Sequence, residues 1–211
     1  VDIAVNLVEN YLRLTGYMTL SEFEVQRRDR TGKFRAVTDI DVMGIRFPGD
    51  VYLGDPHGQR DYEMLVIDDP VLELEADCID VIVGEVKQGE AVLNPGIKDH
   101  GVLHSMLRRL AWIYAEGLEP VIEGLQRDAL HFSPAHGGGR IRTRLVAFGR
   151  SKVSNLNTVA LSHVVSTMLG FFEGHEDAFR PIQFREPAPA FLRLLLKSGF
   201  EIHKELDHPD G

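Results

Sequence analysis

The sequence predicts an α/β fold, a mixed β-sheet flanked by helices, on three observations. Residues 2–15 repeat apolar side chains at helical spacing, and two β-prone runs meet at Arg30-Thr31-Gly32. An apolar strand at 78–87 is then followed by an amphipathic helical pattern at 98–116. The resulting order, α, β, β, β, α, (α), β, α, α, fits helices packed on a short mixed sheet.

The first helix has Asp2 as a plausible N-cap, apolar positions at Ala4, Val5, Leu7, Val8, Tyr11, Leu12 and Leu14, and Gly16 to close it. The hairpin "FEVQRRDRTGKFRAVTDIDVMGIRF" turns at Gly32 and carries a basic tip. Residues 48–70, rich in Gly, Pro and Asp, read as an inserted surface loop with a short strand at 63–67. The third strand is "CIDVIVGEVK", and Asn94-Pro95-Gly96 is a turn. Val102, Leu103, Met106, Leu107, Leu110 and Ile113 stripe the helix at 98–116, and a second helical piece occupies 119–129. "HFSPAHGGG" reads as a loop, "RIRTRLVAFG" as a half-buried strand, and 156–173 as a helix. After Pro181, Pro187 and Pro189 a short helix at 190–198 stops at Gly199.

The chain of 211 residues needs no second domain. Its 44% hydrophobic and 26% charged residues match an ordinary globular protein. The single cysteine, Cys78, excludes an internal disulfide framework and reads as a buried thiol in a reducing compartment. The first twenty residues mix Asp2, Asn6, Glu9 and Arg13 into the apolar pattern, and no apolar run reaches the roughly 18 residues of a membrane span. A cytoplasmic protein without a membrane partner is expected. A net charge of −9 argues against coating nucleic acid by bulk positive charge. The charge is nevertheless segregated: Arg27, Arg28, Arg30, Lys33 and Arg35 crowd the hairpin, while acids crowd 61–90.

The third strand holds the chemistry. Glu85 and Lys87, two apart, share one face, while Ile82 and Val86 point to the other. Chance supplies about one Glu-x-Lys in a chain of this length, so the tripeptide matters only with its surroundings. On the preceding strand Asp39 and Asp41 interrupt a β-branched run, where Asp is disfavoured. If these strands are neighbours, one of the two aspartates and Glu85 can converge on a hard cation. Mg²⁺ suits such a site, because it takes one or two protein carboxylates plus waters and substrate phosphate oxygens. Register with the following apolar residues favours Asp41 over Asp39, and Lys87 would orient or deprotonate the attacking water. Gln88 could reach substrate or water.

A helix with an inward Glu, a β-hairpin, an Asp on strand 2, Glu-x-Lys on strand 3, a helix and a further strand together resemble the PD-(D/E)XK nuclease superfamily. The resemblance covers roughly residues 2–150. It places Asp41 at the family's Asp, Glu85 at its acid and Lys87 at its Lys, with Ile40 where the motif's Pro stands. Glu9 falls where several members carry an additional metal-associated acid. The resemblance implies a restriction-endonuclease-like fold with an α-β-β-β-α-β core. It further implies a single nuclease-like domain over 1–211, with a C-terminal helical extension from about 151. The implied activity is DNA phosphodiester hydrolysis with Mg²⁺ or Mn²⁺. Many members form homodimers, and "FLRLLLKSGF" is apolar enough to serve as an interface. Two other readings are a nucleic-acid-binding or assembly protein that keeps the fold without catalysis, and a metal-dependent phosphohydrolase of small phosphates.

Other motifs carry less. His100 and His104 have helical spacing, but Gly101 stands where a zinc-protease motif needs Glu. Gly137-Gly138-Gly139 follows no strand and opens no helix, so it reads as a mobile loop, and Ser162-His163 adjacency is no triad. The basic residues Arg27, Arg28, Arg30 and Lys33, and a second group at Arg140, Arg142, Arg144, Arg150 and Lys152, would suit phosphate contacts.

Overall fold

A computed structural model describes residues 2–49, 66–179 and 184–200. The chain begins with α1 (Ile3–Leu14), capped by the Asp2 carboxylate, which accepts from the Ala4 N–H at 2.7 Å and the Val5 N–H at 3.3 Å. Val8, Tyr11 and Leu12 are fully buried, and Gly16, at φ 91°, turns the chain into the sheet.

Six strands form one mixed sheet: β1 (Met18–Arg28), β2 (Phe34–Arg46), β3 (Cys78–Glu90), β4 (Leu130–Pro134), β5 (Arg140–Arg150) and β6 (Thr158–Ala160). Its order is β1-β2-β3-β5-β4, and β6 also pairs with β5. β1–β2, β2–β3 and β4–β5 are antiparallel, and β3–β5 and β5–β6 are parallel. One edge of β5 lies along β3. The other edge is shared, β4 taking Arg140–Arg144 and β6 taking Ala147–Gly149.

One face of the sheet is covered by α2 (His100–Leu107), the 3₁₀ turn Arg108–Ile113 and α3 (Glu119–Asp128), over a core that includes Met43, Val81, Val83 and Leu145. The other face is covered by α1, α4 (Leu161–Gly174) and α6 (Pro187–Lys197), over Val42, Ile82, Val146 and Phe148. A short α5 (Glu176–Phe179) follows α4, and its Phe179 joins that second core. This alternation along β3 and β5 is what a strand buried on both faces requires. On α6, Ala188, Pro189 and Leu192 are buried, while Phe191 and Leu194 are exposed.

The structure corrects several element expectations. The helix expected over 98–116 stops at Leu107 and tightens into the 3₁₀ turn, because Tyr114 is extended and bridges Ala135. The expected loop at 131–139 contains β4, which pairs antiparallel with the first half of β5, and only the turn to β5 carries the three glycines. Thr158–Ala160 at the start of the expected 156–173 helix is a strand, as β-branched Thr158 and Val159 suit, and the helix begins at Leu161. The last helix starts at Pro187, whose ring fits the first turn, instead of at 190. Most of the 48–70 loop and of the strand expected at 63–67 lies outside the described residues.

The second basic group is also corrected. Arg142 and Arg144 point into the protein, and both pair with the buried Asp80, through Nε–Oδ1 at 2.5 Å and Nη2–Oδ2 at 2.9 Å. The Tyr17 hydroxyl donates to the same carboxylate. The remaining guanidinium donors reach the carbonyls of Leu72, Glu73 and Leu156. These bonds fasten the segment before β3 to β5, because guanidiniums left in the core without acceptors would be prohibitive. Of that group, Arg140 is exposed and paired with Glu75. Among the described residues no helix is long and apolar enough to cross a membrane.

Candidate functional site

The site lies where β2 and β3 part. Their ladder ends at Val42↔Gly84. One residue further, Asp41 takes over the role of a backbone partner, its Oδ2 accepting the Val86 N–H at 2.7 Å. An Asp in a strand is therefore explained: its carboxylate satisfies a backbone donor that the separating strand can no longer reach. On the other side of β2 the ladder is also broken. Glu22 adopts φ 51° and its expected pair with Asp41 is missing, although the pairs on either side keep one register. The backbone is thus distorted on both sides of Asp41.

Glu85 and Lys87 project to the same face of β3, as their spacing requires, and the Lys87 ammonium lies against Glu85 Oε1. Glu85 is buried, and its Oε2 accepts the Asn94 N–H at 3.0 Å. The two strands bring Asp41, Glu85 and Lys87 into electrostatic contact. Burial raises the Asp41 pKa above the ordinary carboxylate value. The Val86 N–H opposes that rise, Glu85 adds to it, Lys87 opposes it, and Asp2 adds to it.

The charge of Asp2 also raises the Asp41 pKa, a link that motif reading missed. One Asp2 oxygen caps α1, and the other accepts a long bond from Gln88 Nε2 at 3.5 Å. The sequence marked Asp2 only as a cap, and nothing in its spacing announces a neighbour on β2. Asn94 was legible as a turn residue, but its N–H bond to Glu85 was not. Gln88 thus reaches the start of α1.

The other candidates separate. Glu9 is buried and bonded to Arg13 at 2.6 Å and Thr19 Oγ1 at 3.1 Å. Asp39 is exposed opposite Glu24 and makes no hydrogen bond or ion pair with Glu85 or Lys87. At the hairpin tip Asp29 organises the turn, accepting from Thr31, Lys33 and Arg35. That leaves Arg28, Arg30 and Lys33 exposed, and the Arg27 side chain lies outside the described residues. His163 pairs with the buried Asp69 at 2.7 Å, a structural contact and not part of a triad.

Among the described residues no group of three or more His, Cys, Asp or Glu side chains is arranged to hold a metal ion. The protein donors available at the fork are two carboxylates, Asp41 and Glu85. Hard oxygen donors in that number fit Mg²⁺ or Mn²⁺, which keep several waters and bind phosphate oxygens, and do not fit a metal that needs a full protein cage. The chain matches no family model, no curated protein and no solved structure.

Proposed function

We propose that this chain is a metal-dependent DNA phosphodiesterase of the PD-(D/E)XK type, built on a restriction-endonuclease-like core. The observation that supports this most is the fork itself. Where the strands separate, the Asp41 carboxylate bonds the β3 backbone at Val86, between Glu85 and the Lys87 that pairs with it, and the two carboxylates are partly or largely buried. Buried or half-buried charges on a sheet, grouped instead of dispersed, are characteristic of reacting sites.

In this reading Asp41 and Glu85 hold Mg²⁺ or Mn²⁺. When bound, such an ion polarises a phosphoryl oxygen and acidifies water. The Val86 N–H fixes the Asp41 carboxylate, and the Asn94 N–H fixes that of Glu85, so neither must reorganise as substrate arrives. Lys87 orients the attacking water and offsets charge building on the phosphate. The exposed Arg28, Arg30 and Lys33 contact phosphates that position the strand without reading its bases.

Purified protein should cut DNA only when a divalent metal is added. Lys87→Ala should lower cutting on the order of 10²-fold or more, with an unchanged circular dichroism spectrum. Full activity in that variant removes the mechanism. A Glu85→Ala protein that binds and functions like the parent would instead favour a binding or assembly role.

A further inference from the structure

Beyond the fork, the outer half of β2 pairs with β1 and not with β3, so the hairpin stands away from the sheet. Between this hairpin and α2 lies a groove of about 500 Å³. Its floor is apolar, with Val25 and Val37 from the hairpin and Val102 from α2. Its rim carries donors: Arg28 on one side, His100 and His104 on the other.

Of these, Arg28 and His104 are available as donors. Arg28 lies over the Phe34 ring at 4.8 Å, which holds the guanidinium in place, and no carboxylate among the described residues pairs with it. The His100 and His104 rings stack with centroids 6.2 Å apart and planes 16° apart. His104 has no hydrogen-bond partner among the described residues. The two acids in the wall are already engaged. Asp99 caps α2 through the Val102 N–H at 3.1 Å, and Glu119 Oε2 lies 2.8 Å from His100 Nε2.

We infer that this groove is a subsite for one strand of a polynucleotide, with a base on Val25 and Val37 and the adjoining phosphate facing Arg28 and His104. The assignment of the ligand as the strand flanking the cut rests on the nuclease reading, whereas binding itself does not require cleavage. A groove of this volume holds a single ligand-sized group, which a base and its phosphate supply and a duplex exceeds. The apolar floor seats the face of one base while Arg28, held over Phe34, meets the phosphate beside it, and such contacts read no sequence.

The test measures binding by the full chain in EDTA, where metal-dependent cutting is silent. A fluorescein-labelled oligothymidylate of about ten nucleotides is titrated by fluorescence polarisation, alongside a duplex of equal length. Arg28→Ala and His104→Ala should each weaken single-strand binding on the order of five-fold, and the parent should prefer the single strand. Arg28 is exposed on the hairpin, so its loss leaves the core intact even if the His104 variant folds poorly. Unchanged binding in both variants, or a parent that prefers the duplex, overturns the subsite. Cutting with Mg²⁺ is scored separately. Variant-sensitive binding without cutting keeps the subsite and removes the nuclease reading. Cutting with variant-insensitive binding does the reverse.

Discussion

Asp80 is the residue on which the buried polar layer depends. Burial alone would raise its pKa, but Arg144, Arg142 and the Tyr17 hydroxyl overcome that, so the carboxyl is held below its ordinary range. The sign follows: a depressed folded pKa contributes stability that is complete above the unfolded value of about 3.9 and is lost as pH falls through the folded value. Asp80→Asn leaves two buried guanidiniums facing a neutral amide. It should cost on the order of 3 kcal/mol at pH 7, and the gap to the parent should narrow below about pH 4. Urea melts of both proteins at pH 7 and pH 3 check this, and a pH-independent gap would contradict it. Such a residue was half legible. "RIRTRLVAFG" announced a strand, but the pattern cannot say that an arginine faces inward when its partner, Asp80, lies far away in the chain.

At the scale of elements, the site depends on how β3 leaves the sheet. Its last residues cross β5 at Gly149, where an added Cβ would stand 2.8 Å from Ala91 Cα and 3.0 Å from the Gly89 carbonyl oxygen. Ala91 N–H also donates to the Arg150 carbonyl at 3.1 Å, so the crossing is a bonded one. The same segment leads to Asn94, whose N–H fixes Glu85. Gly149→Ala should therefore push the segment off β5, costing about 1–3 kcal/mol and reducing metal-dependent cutting. A thermal melt read beside a cleavage assay tests both effects. An unchanged melting temperature would show that the crossing tolerates a methyl group. Local pattern located β1, β2, β3 and β5 well, since alternation and β-branching are written along each strand. It missed β4 and β6, because strands so short are defined by the edge of β5 that they pair with.

Across the whole molecule, charge is divided between an acidic body and a basic hairpin. The net charge of −9 opposes nucleic acid at long range, so binding through the hairpin draws on its exposed cations. Arg30→Ala and Lys33→Ala should each weaken DNA binding and reduce the slope of log K against log salt by about 0.9 on duplex or 0.7 on a single strand. Titrations at several salt concentrations measure this, and an unaltered slope in both variants would place DNA elsewhere.

The sequence by itself determined the α/β class, the hairpin and its basic tip, and the sharing of one face by Glu85 and Lys87. Each of these is a consequence of periodicity or spacing within a single segment. Only the tertiary structure decided that β2 pairs with β3 and that Asp41 bonds the β3 backbone beside Glu85 while Asp39 stays exposed opposite Glu24. It also turned Arg142 and Arg144 inward. These are relations between segments distant in the chain, set by strand register and by the need of every buried charge and backbone donor for a partner.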